Sequence, residues 1–86
     1  MATQTDFAIT NQWQNITAAL TAAASVDAVY QCVSQDTIQI VKGGATAPTG
    51  KTGLLLDFKD SVQLNDANVW VRCFDGDGAT VSVTVL

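Results

Sequence analysis

Residues 68–86, NVWVRCFDGDGATVSVTVL, give the clearest indication of the fold. This stretch contains two runs, 68–74 and 79–86, in which valine and other apolar residues recur at every second position. This period of two is typical of β-strands with one buried face. The segment DGDG at 75–78 separates the runs, and glycine after aspartate between two strands predicts a tight hairpin. We therefore expect β-structure throughout this stretch.

The same signals continue upstream of this stretch. Turn-forming residues separate apolar, β-branched segments, and the loop at 43–53 contains the only proline, Pro48. About seven short strands with frequent turns predict an all-β fold, a single small antiparallel β-sandwich or jelly-roll-like barrel. The additional strands are predicted at 27–34, 37–42, 54–58 and 61–64.

The N-terminal part of the chain gives weaker signals. Residues 1–12 are polar around two apolar side chains and are predicted to be an N-terminal arm or an edge strand, preceding a β-sandwich domain at 13–86. Residues 13–17 fit a short strand. The alanines of 17–25 would suit a two-turn helix, but isolated helices of this length are marginal in water. An irregular connection with a strand portion is therefore favoured there.

The composition excludes several classes of function. The chain has 86 residues with a net charge of −4, and its four Lys and Arg cannot form a phosphate-binding track, so no nucleic acid partner is expected. No apolar stretch approaches the roughly 20 residues that span a bilayer, so no membrane partner is expected. The N-terminal sequence lacks the features of a signal peptide, which predicts synthesis in a reducing cytoplasm.

Catalysis and cofactor binding are not expected. With no His and no Glu, the chain offers no recognisable acid–base constellation. The segment GATAPTGKT at 44–52 resembles a phosphate-binding loop, but its glycine spacing is one residue too long and strand-like sequence follows where a helix is needed. Lys51 is therefore expected on a solvated loop, and Lys51→Ala is expected to change neither fold nor function.

Two further local patterns are interpreted structurally. The two aspartates of DGDG could suggest calcium, but the ligands that an EF-hand requires at later positions are missing. Asn15-Ile16-Thr17 matches the N-glycosylation acceptor, a chance match in a protein without a secretion signal.

The cysteines, Cys32 and Cys73, fall on the presumed inward faces of their strands. They are predicted to be buried free thiols, with a disulfide as the alternative. Neither has a histidine or a second nearby cysteine that would favour a thiolate or a metal site. No metal and no cofactor are therefore expected.

The remaining functional signal is a candidate protein interface. If Val69, Val71 and Cys73 point inward, the intervening side chains point outward, and Trp and Arg are enriched among interface hot spots. The alternatives are that loops of the same domain cover this face or that the strand faces are reversed. The candidate interface residues are Trp13, Trp70, Arg72 and Phe74, together with Phe7 and Ile9 carried on the N-terminal arm.

Several short motifs follow one another along residues 13–86. After a Trp-containing start come YQCV at 30–33, IQI at 38–40, APTG at 47–50, WVR at 70–72 and SVTV at 82–85. This order resembles that of small structural proteins from tailed bacteriophage virions. The resemblance implies a β-sandwich or jelly-roll-like unit on the capsid surface, in the neck or in a tail fibre, with no catalytic residues.

The resemblance and the sparse charge together predict a capsid decoration (cement) protein on the virion surface. Its expected partners are the major capsid protein or other virion proteins, and a homo-oligomer is expected, with a trimer ahead of a dimer. A tail, neck or head-fibre component is the alternative. A small carbohydrate-binding module, with Trp13 or Trp70 as a stacking platform near Asp66 and Asn68, is a further alternative.

Overall fold

The structure, a computed structural model, describes residues 3–20, 23–44, 46–48 and 53–86. Within these ranges the chain forms two antiparallel sheets of four strands each, joined by loops and one short helix. In chain order the elements are β1 (Thr3–Thr10), β2 (Gln14–Asn15), α1 (Ile16–Ala19), β3 (Ala28–Cys32), β4 (Ile38–Lys42), β5 (Leu54–Leu56), β6 (Ser61–Leu64), β7 (Val69–Cys73) and β8 (Gly78–Val85).

The chain passes back and forth between the two sheets, so each sheet contains strands from both halves of the sequence. Sheet one has the order β1-β8-β3-β6, and sheet two has the order β2-β7-β4-β5. The prediction of a small all-β, antiparallel sandwich is confirmed. In the described residues no helix has the length and apolar character needed to cross a membrane.

The core lies between the two sheets and is supplied by alternate residues of their strands. In both β3 and β7 every second residue is buried, so the predicted inward faces of these strands are confirmed. Alternation appears because successive side chains of a strand point to opposite sides of the sheet. The buried strand residues of the core are Ile9, Ala28, Tyr30, Cys32, Ile38, Ile40, Leu56, Val69, Val71, Cys73, Ala79, Val81 and Val83.

The two cysteines are part of this core. Cys32 and Cys73 are both buried and free, as the sequence predicted. The Sγ atom of Cys32 lies 3.0 Å from the carbonyl oxygen of Asp36 and 3.3 Å from that of Ser34. Burial raises the pKa of the Cys32 thiol, which favours the unreactive neutral form.

The predicted hairpin at 75–78 is wrong. β7 belongs to sheet two and β8 to sheet one, so this segment carries the chain from one sheet to the other. The turn does not use left-handed backbone, since Gly53 is the one described glycine with a positive φ. It is tied down instead by the side chain of Asp75, whose Oδ1 accepts the backbone N–H of Thr37 at 2.8 Å.

The prediction of an irregular connection at 17–25 is wrong at its beginning, because the chain forms the helix α1 there. Asn15 caps this helix, and its Oδ1 accepts the N–H of Ala18 at 3.2 Å. The buried hydroxyl of Thr17 accepts the N–H of Val69 at 3.1 Å and lies 2.8 Å from the carbonyl oxygen of Ala67. Contacts with the start of β7 therefore stabilise a helix that would be too short to form alone. The Asn15-Ile16-Thr17 motif thus has a structural role.

Candidate protein interface

The outer faces of the two sheets differ in chemistry. In an antiparallel sheet, directly opposed residues lie on the same side. On sheet one, the register opposes Gln31 to Ser82 and Ser82 to Asp6, which places these polar residues together on the outer face. Thr84 opposes Val29 on this same face. Ser82 itself is 2% exposed, so the polar groups that this face presents are those of Gln31, Asp6 and Thr84, beside the aliphatic Val29 and Ala8.

The outer face of sheet two is aromatic and apolar. The register opposes Val41 to Trp70, and Gln39 to both Arg72 and Leu55, so these five residues share one side of the sheet. Since Val69, Val71 and Cys73 point into the core, this side is the outer one. We call it the aromatic face. It consists of Trp13, Gln39, Val41, Leu55, Trp70, Arg72 and Phe74.

Arg72 lies near the middle of the aromatic face and is held from two sides. Its Nε–H donates to Oε1 of Gln39 at 2.9 Å, and its guanidinium carbon lies 5.1 Å from the ring centroid of Trp13. Gln39 is 1% exposed although it points away from the core, because Arg72 and the chain at Gly53 cover it. The hydrogen bond and the cation–π contact both restrain the Arg72 side chain.

Trp70 is likewise anchored on this face. Its Nε1–H donates to the carbonyl oxygen of Gly44 at 2.9 Å, and the residue is half-buried. The loop after β4 thus fixes the indole ring against the outside of the sheet. A rigid aromatic group of this kind contributes contact area at low entropy cost.

The aromatic face extends to exposed apolar side chains at its border. Leu55 is 47% exposed and Phe74 is 41% exposed. Sequence analysis did not single out Leu55. The signal was present in Leu54-Leu55-Leu56, because in a strand a run of three leucines must turn at least one side chain away from the core. Large apolar groups on one surface mark interaction sites more often than scattered ones do.

The structure brings together four of the six predicted interface residues and separates the other two. Trp13, Trp70, Arg72 and Phe74 belong to the aromatic face. Residues 3–10 form β1, an edge strand of sheet one, and not a free arm. Ile9 is 4% exposed within the core, and Phe7 packs against the core from its border. Both side chains therefore lie on sheet one, outside the aromatic face, and the buried Ile9 stabilises the fold.

The loop that resembles a phosphate-binding segment leads directly into a strand. Residues 45 and 49–52, and with them the prediction for Lys51, lie outside the described residues. Gly53 has a φ of 131°, and a Cβ there would lie 3.0 Å from the carbonyl oxygen of Ile40 and 3.1 Å from Cγ of Gln39. This glycine therefore lets the chain pass closely over Gln39. β5 begins at the next residue, where a phosphate-binding loop would require a helix.

The part of the chain that the structure describes contains no cluster of side chains that could hold a metal ion, since no three His, Cys, Asp or Glu side chains group there. A cleft of about 120 Å³ lies between β1 and the segment of β2 and α1, with Phe7, Ile9 and Ile16 in its lining. This volume is below the roughly 300 Å³ at which pockets for small molecules begin.

The polar neighbours of Trp70 are engaged within the domain. Asn68 accepts at its Oδ1 the side-chain amide of Asn15 at 2.9 Å, and Asp66 Oδ1 accepts the backbone N–H of Asn68 at 2.9 Å. These atoms fix the entrance to β7, so they are less suited to binding sugar hydroxyls beside an aromatic platform. No protein-family model, curated protein sequence or solved structure matches this chain.

Proposed function

We propose that this chain is a non-enzymatic virion structural protein, a capsid decoration protein that binds the major capsid protein shell through the aromatic face. The observation that carries the protein-binding part is the contrast between the two outer faces. One carries several polar side chains, and the other combines Trp13, Trp70 and Arg72 with exposed Leu55. The assignment to a bacteriophage virion rests on the resemblance of residues 13–86 to such proteins.

The physical properties of the domain suit this role. A decoration protein must resist outward pressure on the shell, and a sandwich with a continuous core deforms little. Its bound side must displace water from the shell, whereas its free side must remain hydrated. The aromatic face suits the first task, since buried Trp and Arg side chains dominate binding energy at interfaces. The face of sheet one that carries Gln31, Thr84 and Asp6 suits the second.

A tail, neck or head-fibre component would use the same face on a different partner. The number of copies per particle separates these positions: hundreds of copies indicate a shell protein, and a dozen or fewer indicate the neck or tail. Quantitative mass spectrometry of purified particles, with the major capsid protein as the internal standard, measures this ratio.

Binding through the aromatic face is tested by co-sedimentation of the purified chain with shells assembled from the major capsid protein. Leu55→Asp places a charge on this face at a side chain that is 47% exposed, so the monomer should remain folded. Gln63→Ala is the matched control, because Gln63 opposes Val29 on the outer side of sheet one and is exposed. We expect Leu55→Asp to abolish co-sedimentation and Gln63→Ala to leave it unchanged. Equal binding by both variants would contradict the proposal.

A further inference from the structure

Among the residues that the structure describes, no strand pairs with the outer edge of β1 in sheet one. This strand pairs with β8 on one side over its whole length, and the strand order places it at the border of the sheet. Its sequence, TQTDFAIT, contains no Lys or Pro and one charged residue, Asp6. Proteins normally block exposed edges with charges, prolines or very short strands. The other described edge strands, β2, β5 and β6, follow this rule with two, three and four residues.

Two contacts show which backbone groups of β1 point outward. The N–H of Thr10 donates to Oε1 of Gln14 at 3.1 Å and so lies outside the ladder with β8. The carbonyl oxygen of Ile9 lies 3.0 Å from the position of a Cβ on Gly78, so it points towards β8. Backbone direction alternates along a strand, so the N–H and C=O groups of Asp6 and Ala8 face away from β8. Both residues are exposed.

We propose that β1 pairs antiparallel with β1 of a second copy of this chain. The two copies of sheet one then form a continuous eight-stranded sheet in a dimer with two-fold symmetry. Two copies can pair in this way because, around a two-fold axis, the outward N–H and C=O groups of Asp6 in one copy meet those of Ala8 in the other. This inference does not depend on the proposed function, and it leaves the aromatic face of sheet two free.

The side chains of β1 select one register for this pairing. A register with Asp6 opposite Asp6 of the second copy would bring two carboxylates together and is disfavoured. A shift by one residue in each strand places Phe7 opposite Phe7 on the two-fold axis and Asp6 opposite Ala8. Phe7 lies at the cleft between β1 and α1, and its ring is only partly covered in the monomer. Contact between the two rings would extend the core across the dimer.

The first experiment measures self-association by sedimentation equilibrium from micromolar to millimolar concentration. We expect a mass that rises from 9.0 kDa towards twice this value. Ala8→Pro removes an outward N–H from each copy while leaving the ladder with β8 intact, and Ala8→Val is the control that keeps this N–H. Two lost hydrogen bonds per dimer should weaken association at least about tenfold in Ala8→Pro and not in Ala8→Val.

Amide hydrogen exchange of the unmodified chain provides a readout that requires no variant. We expect the amides of Asp6 and Ala8 to exchange rapidly at low concentration and to become protected as the dimer forms. A mass of 9.0 kDa throughout would overturn the proposal. A dimer in which these two amides remain unprotected would also overturn it, since association would then use another surface. If Ala8→Pro proves unfolded by circular dichroism, the exchange measurement decides.

Discussion

Replacement of Tyr30 by Phe should show whether the buried hydroxyl of Tyr30 lowers or raises the free energy of unfolding. Tyr30 is the only tyrosine of the chain, and its side chain is 0% exposed between the sheets. Its hydroxyl oxygen has no hydrogen-bond partner among the described residues. Burial, with a smaller contribution from the charge of Asp66, raises the pKa of Tyr30 to about 12 from its ordinary value of 10.0.

The consequence for stability has a definite sign. The neutral phenol is favoured in the folded state, so stability is unaffected below the unfolded-state pKa and is lost as pH rises from about 10 to about 12. A difference of about 2 pKa units corresponds to about 2–3 kcal/mol over this range. At pH 7, Tyr30→Phe removes a hydroxyl without a partner. The free energy of unfolding should therefore stay constant or rise by up to about 1 kcal/mol.

Two measurements test this reasoning. Denaturant unfolding of both proteins from pH 7 to pH 12 should show a steeper alkaline loss in the parent, and comparison with Tyr30→Phe cancels the contribution of Cys32, which both retain. The ultraviolet absorbance of tyrosinate should titrate near pH 12 in the folded protein. A midpoint near 10, or a loss of more than about 1 kcal/mol in Tyr30→Phe at pH 7, would refute the argument. Either result would mean that the hydroxyl is solvated or hydrogen-bonded.

Three further predictions follow from individual contacts. Gly53→Ala should lower the free energy of unfolding by about 1–3 kcal/mol, because a side chain at this φ is strained and would meet Ile40; chemical denaturation measures the loss. Thr17→Val should cost about 1–3 kcal/mol by leaving the buried N–H of Val69 without its acceptor, whereas Thr17→Ser should largely retain stability. Trp70→Ala should cost about 1–2 kcal/mol of folding through its bond to Gly44, but 2 kcal/mol or more of shell binding. A melting curve showing a fully unfolded Trp70→Ala would contradict the assignment of Trp70 to the outer face.

Most of the strands, and the faces that they bury, could be predicted from the order of the residues. Alternation is a local property, since each side chain of a strand is fixed relative to its neighbours by the pleat. The inward positions of β3 and β7 could therefore be predicted from residue order alone. The same parity brought Trp70 and Arg72 to the outside, and Trp13 joins them because it precedes a strand that pairs with β7.

Which strands pair with each other depends on contacts between distant parts of the chain. The segment 75–78 has the composition of a hairpin, yet its two strands enter different sheets because each buries its apolar face against the opposite layer. Ile9 lies in a polar N-terminal sequence and becomes a core residue only because β1 pairs with β8. Gln39 is polar and is covered only where Arg72 and the chain at Gly53 meet it. Such contacts join residues far apart in sequence, and no local pattern encodes which distant segment will supply them.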